Sequence, residues 1–232
     1  MNRFLSFLFQ KPTIPKFAVI VVTSFGAFAT SAFATTKGLS QIVTPELQGP
    51  GDLSLSFQAQ SERIANPYEL QAEMGLTNWA EFAVFRGFKP DDWIFSTEFG
   101  LLTKEPYLLS IGFLNWSPHL DVDPQPYIEA GYYTEHQKFI AGAIHAGYKN
   151  EAILGYAYDF NKTWRVQIDW ISGAENSSTI GFTCNISRDF QMNPALYINN
   201  GPGHDLFGYV VFSYTFHLWG KTGGKELEKS EK

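Results

Sequence analysis

Cysteine is almost missing from this chain. Its 232 residues hold one, Cys184, so no internal disulfide can staple the fold, and no second thiol stands by to build a metal site with it. Charge is sparse as well, at 17% of residues against 16% aromatic. No basic run is present and the net charge is −6, which argues against nucleic acid as a partner. Beyond the first 34 residues no continuous apolar run is long enough for a helix to span a bilayer. These absences set aside a disulfide scaffold, a nucleic-acid binder and a helical membrane protein. What is left is length for one large domain with much apolar and aromatic surface.

The N-terminus has the parts of a secretory signal. Arg3, Lys11 and Lys16 give a basic start, residues 17–29 are mostly apolar, and Ser31-Ala32-Phe33-Ala34 ends in a small-x-small cleavage pattern. An uncleaved anchor is the competing reading, but the apolar run is short for one. Cleavage after Ala34 is therefore expected. It removes three positive charges and no negative one, taking the net charge to −9 on 198 residues. Residues 35–52 then read as a polar lead-in carrying Pro45 and Pro50, and residues 220–232 as a charged, glycine-bearing tail without order.

Between these ends the chain alternates. In Trp164-Arg165-Val166-Gln167-Ile168-Asp169-Trp170 every second side chain is apolar, and in a strand successive side chains point to opposite faces. Such segments of about ten residues recur, as in strands that cross a bilayer within a barrel. The pattern predicts twelve: residues 53–60, 68–76, 79–86, 93–101, 107–116, 127–134, 138–148, 151–160, 164–170, 179–186, 190–199 and 206–219. Ten or fourteen also fit. With both ends on one side, the long connections at residues 117–126, 172–177 and 200–205 share the opposite side. Turns at Thr77-Asn78 and Asn161-Lys162 on the near side are short, while the predicted turn at Lys149-Asn150 is short although it falls on the side of the long connections, and breaks the trend. Pro194 inside the eleventh segment predicts a bulge or an irregular site, since proline gives no donor to a ladder.

Alternation alone does not say which face is outside, because a soluble barrel turns its apolar face inward. Three features choose. All six tryptophans, Trp79, Trp93, Trp116, Trp164, Trp170 and Trp219, lie at or near segment ends, where a bilayer has its aromatic girdles. The polar face carries Glu69, Glu73, Glu81, Glu98, Glu129, Glu151, Asp159 and Asp169, with Arg165 as its one clear strong base. Burying such a set dry costs several kcal/mol per unpaired ion. Finally, Gly208-Tyr209-Val210-Val211-Phe212-Ser213-Tyr214-Thr215-Phe216 resembles the terminal strand signal of bacterial outer-membrane barrels, although here residues 217–232 follow it.

The mature chain as a whole resembles bacterial outer-membrane β-barrels. That implies an all-β, transmembrane, antiparallel up-and-down barrel at residues 53–219, in contact with outer-membrane lipid and assembled by the barrel-assembly machinery through Tyr214 and Phe216. In addition, Gly75-Leu76-Thr77-Asn78-Trp79-Ala80-Glu81-Phe82 looks like the repeating strand–turn of the phenol meta-pathway outer-membrane barrels, which implies passage of small organic molecules. No residue roles carry over from that family.

Three functions stay open. A channel would be lined by Glu69, Gln71, Glu73, Glu81, Glu98, Glu129, Asp159, Arg165, Gln167 and Asp169. A ring so acidic favours small neutral or cationic solutes; twelve strands make any bore narrow. In the alternative, Arg165 and the carboxylates form a network with loop lysines that plugs the interior. A lipid-acting barrel enzyme would need a serine–histidine pair. His145 has no evident serine, His204 and Ser213 lie on opposite parities, and His204-Asp205 is one acidic dipeptide. A structural or adhesive barrel would use residues 117–126, where His119, Asp121 and Asp123 have a spacing that suits a cation but reads as a solvated acidic loop. No cofactor is implied.

Overall fold

The computed structural model describes residues 38–62, 66–89, 91–118 and 124–219. The signal segment, the charged tail and the His119/Asp121/Asp123 loop lie outside them. Twelve antiparallel strands run in order: β1 (Asp52–Gln60), β2 (Tyr68–Thr77), β3 (Ala80–Phe88), β4 (Asp91–Lys104), β5 (Tyr107–Trp116), β6 (Gln125–Tyr133), β7 (Gln137–Ala146), β8 (Lys149–Asp159), β9 (Trp164–Ile171), β10 (Ser177–Asn185), β11 (Phe190–Asn199) and β12 (Leu206–His217). Each pairs with its sequence neighbour, and β1 pairs with β12 from Asp52↔His217 to Gln60↔Tyr209. The sheet is thus a closed barrel without a free edge, so the strands' backbone groups can pair within the sheet, as hydrocarbon demands.

The alternation sets the faces. Leu55, Phe57, Leu70, Phe113, Leu154, Ile168, Ile180, Phe212 and Tyr214 stand exposed on the outside. Glu69, Gln71, Glu73, Glu129 and Gln167 are buried on the inside. Aromatics ring both rims: Trp79, Tyr107, Trp164 and Trp219 at the end of the β2–β3 turn, and Tyr68, Trp93, Trp116 and Tyr148 at the other. Several meet across strands, as Trp79 stacks on Phe99 at 6.2 Å and Phe95 lies tilted against Trp116 at 5.3 Å. An apolar cylinder with aromatic girdles has the surface of a membrane-spanning barrel.

Boundaries shift where local chemistry overrides the pattern. β4 begins at Asp91 and not at Trp93, because Asp92 is buried and accepts the Ser117 hydroxyl at 3.2 Å. The β7–β8 turn is Gly147-Tyr148 and not Lys149-Asn150. Gly147 takes φ 61°, as the first residue of a two-residue hairpin turn often must. At Pro194 the β11–β12 register runs on unbroken, while the β10–β11 ladder lapses between Gly181↔Ala195 and Cys184↔Met192 without a shift. The irregularity is a gap in one ladder, on one side of the proline.

Candidate lumenal site

The barrel is not empty. Residues 38–45 are all buried, and they lie inside the cylinder. This arm enters at the end of the β2–β3 turn. There Pro50 bridges to Gly75, the Gly51 N–H donates to the Gly75 carbonyl at 2.8 Å, and the Gln48 N–H donates to Glu81 Oε2 at 2.8 Å. It reaches far enough for Gln41 Nε2 to donate to the carbonyl of Ser177, the first residue of β10, at 3.0 Å. The sequence reading of residues 35–52 as a polar lead-in is therefore corrected for the described part. Leu39, Ile42 and Val43 make it amphipathic, and a lumen is the one place where such a segment finds both an oily and a polar neighbour.

The two neighbours are adjoining arcs of the barrel wall, which meet where β8 pairs with β9. Leu39, Ile42 and Val43 form one core with Leu108 on β5, Tyr127 and Tyr133 on β6, Ile140 and Ile144 on β7, and Ile153 and Ala157 on β8. On the other arc, Asp169 Oδ2 on β9 accepts the backbone N–H groups of Ser40 at 2.8 Å and Gln41 at 3.3 Å. Asn193 Nδ2 on β11 donates to the Leu39 carbonyl at 3.0 Å, and the Tyr197 hydroxyl donates to the Ser40 carbonyl at 2.7 Å. Gln167 Nε2 donates to the Ser40 hydroxyl at 3.1 Å and its Oε1 accepts from Thr183 at 3.1 Å. The two bonds to the buried Asp169 carboxylate are the strong class, about 1.5–3 kcal/mol each.

Inward glycines mark the arm's path. A Cβ at Gly155 would lie 2.6 Å from Ile42 Cδ1, at Gly131 2.8 Å from Pro45 Cγ, at Gly100 2.8 Å from Leu47 Cδ1, and at Gly181 2.6 Å from Ser40 Oγ. At Gly75 it would strike the backbone of Gln48 and Gly49. These five stand on β2, β4, β6, β8 and β10. The sequence carries this signal, since glycine on an inward parity admits close approach, but its meaning depends on knowing what approaches.

Of the residues expected to face inward, Glu69, Gln71, Glu73, Glu81, Glu98, Glu129, Gln167 and Asp169 are buried there. Asp159 and Arg165 pair with each other at the short-turn rim, Nε to Oδ1 at 2.7 Å, each about a quarter exposed. Arg165 is not the only inward base. Lys138 meets Glu46 of the arm and lies 4.6 Å over the Tyr133 ring, and Lys149 pairs with Glu175 at the opposite rim. Glu81 and Glu98 are direct cross-strand partners. Gln71 Nε2 donates to both Glu69 Oε1 at 3.0 Å and Gln58 Oε1 at 2.8 Å, while Gln58 Nε2 and the Tyr209 hydroxyl stay buried and unbonded.

The candidate enzyme residues are not brought together. Ser213 faces inward, 2.6 Å from the Ser56 hydroxyl. His204 sits in the loop after β11, 3.3 Å from the Asn199 carbonyl. His145 lies exposed on β7 with Nδ1 2.8 Å from Asn150 Oδ1. His217 ends β12 between two carboxylates, Nδ1 2.6 Å from Asp52 and Nε2 3.2 Å from Asp189. Among the described residues no group of three His, Cys, Asp or Glu side chains has a metal-binding arrangement.

No protein-family model and no curated protein matches the chain. Solved structures do. The KdgM porin aligns with TM-score 0.51 and 10% identity over 72% of this chain and 99% of its own. The KdgM porin in complex with disordered oligogalacturonate aligns with TM-score 0.50 over the same shares. The NanC porin follows at TM-score 0.46 and 12% identity, over 70% and 98%. At such identities the likeness is one of fold: this chain is a closed, porin-like β-barrel.

Proposed function

We propose that this protein is an outer-membrane channel for small neutral or cationic solutes, and that the lumenal arm at residues 38–48 must withdraw for a solute to pass. The observation that carries the reading is the inner wall. Seven inward carboxylates (Glu69, Glu73, Glu81, Glu98, Glu129, Glu151 and Asp169) are buried inside a cylinder whose exterior is apolar. Taking each such ion out of water costs several kcal/mol, which its partners must offset in a permanently packed interior. In a wall that takes up water and cations the set is an attraction for positive charge. The porin-like fold supports the same reading.

The solute of the KdgM complex does not transfer with the fold. An oligogalacturonate is a chain of carboxylates, and this acidic lumen would repel it. Withdrawal of the arm would expose a bore with Gln167, Asp169 and Asn193 on one side and Leu108, Ile140 and Ile153 on the other. Solutes with an apolar body and a hydrogen-bonding or cationic edge fit that cross-section. A lipid-acting enzyme gains no support, since Ser213 lies in the lumen and His145 and His204 lie outside it. Insertion after signal cleavage at Ala34, with assembly through Tyr214 and Phe216, belongs to the same proposal.

Planar-bilayer recording of refolded residues 35–232 and of a variant lacking residues 35–48 is the test. Small or intermittent currents are expected from the first and a steady, cation-selective conductance from the second. A folded, arm-deleted barrel that passes no current rejects the channel.

A further inference from the structure

We propose that the lumenal wall is a peptide-binding site, able to hold in trans a peptide bent as the arm is, where the Leu39 N–H donates to the Ile42 carbonyl at 3.0 Å, with branched aliphatic side chains along one flank. The site is read from its present occupant. Five wall-to-arm hydrogen bonds go to main chain: the Ser40 and Gln41 N–H groups to Asp169, the Gln48 N–H to Glu81, and the Leu39 and Ser40 carbonyls from Asn193 and Tyr197. A bond from Gln167 reaches an arm side chain, the Ser40 hydroxyl. A wall that reads N–H and C=O groups reads any peptide, and side-chain choice then falls to the apolar side. There Leu39, Ile42 and Val43 occupy the core of β5–β8, with Gly155 leaving room against the first two. The Asn193 side-chain oxygen, Oδ1, is buried and unbonded, so the wall still has an acceptor to offer.

This inference rests on the arm being able to leave, as the channel reading holds, but it adds a ligand class. An arm tethered at Pro50 competes with a free peptide at an effective concentration on the order of millimolar. The intact barrel should therefore bind peptide poorly and the vacated one well. Selectivity should follow the two flanks. Blocking N–H groups should cost far more than trimming the Ser40 and Gln41 side chains.

A fluorescent peptide of residues 38–48 is titrated by anisotropy into detergent-solubilised barrel lacking residues 35–48. A second preparation guards against misfolding. The full mature chain, with a protease site inserted after Leu47, folds with its arm in place and is then cut, and the labelled peptide is exchanged in. Saturable binding is expected in both, at least tenfold tighter than to the uncut chain. Asp169→Asn in the barrel, or N-methylation at Ser40 and Gln41 in the peptide, should weaken it at least tenfold. Alanine at those two peptide positions, which loses the bonds to Gln167 and Ser177, should weaken it less than N-methylation does. Absent binding to the cut and folded barrel, or equal binding of the N-methylated peptide, overturns the peptide site. Conductance measured separately keeps the two ideas apart: current without peptide binding sinks only this site, and peptide binding without current sinks only the channel.

Discussion

The two walls of the lumen hold the same segment by opposite means. The β5–β8 side offers Leu108, Ile140, Ile144 and Ile153, which stabilise the arm without direction, by area removed from water. The β9–β11 side offers Asp169, Asn193 and Tyr197, which fix its register through individual bonds. Area makes the arm stay in, and bonds decide where it stops. A carboxylate that is costly when left alone becomes an anchor when two backbone N–H groups reach it.

That contrast can be broken from either side. Ile42→Asp should have the largest effect, because it sets an ion against the apolar wall at a cost of several kcal/mol. The arm should leave, read as steady current and as proteolysis within residues 38–48 of the folded barrel. Asp169→Ala attacks the other wall. Losing bonds to a buried carboxylate costs about 1.5–3 kcal/mol, so arm release should rise roughly tenfold to a hundredfold while the barrel itself stays folded in detergent. Gly75→Ala tests neither wall but the arm's root. Its methyl meets backbone rather than a flexible tip, and overpacking of about 1–3 kcal/mol should shorten closed times in single-channel records. Arg165→Gln should be smallest. Its pair with Asp159 is partly exposed and worth about 0–1 kcal/mol, so a slight gain in cation selectivity, read from the reversal potential, is expected with little change in closure. If Asp169→Ala and Ile42→Asp gave equal currents and equal protease access, the division of labour between the walls would be wrong.

The outside of this molecule was legible in the sequence and much of the inside was not. Period-two alternation places Leu55, Phe57, Ile168 and Tyr214 outside and Glu69, Glu73 and Asp169 inside, because the pleat allows one face per parity. The bounds of Tyr107–Trp116 and Phe190–Asn199 also come out as read. The arm escapes such reading. Gly38-Leu39-Ser40-Gln41-Ile42-Val43-Thr44-Pro45 has no period, and Ser40 meets Asp169 across a sequence separation of 129, which no local rule spans. Two traces of it are nevertheless present. One is Phe139-Ile140-Ala141-Gly142-Ala143-Ile144, apolar on both parities although one faces inward; a strand greasy on both sides has apolar company on both. The other is the set of inward glycines on alternate strands.

The junction of arm and barrel has its own consequence. Gly49-Pro50-Gly51 joins the two, with Gly51 at φ 82°, and the next residue, Asp52, is clasped by His217, which also reaches Asp189. Leu218 donates to the Gly51 carbonyl at 2.8 Å. The pivot therefore sits directly beside the seam where first and last strands meet, and that seam is latched independently of anything in the lumen. On the proposed channel reading the arm would swing clear while the cylinder stays shut, so unblocking this barrel need not begin to unzip it.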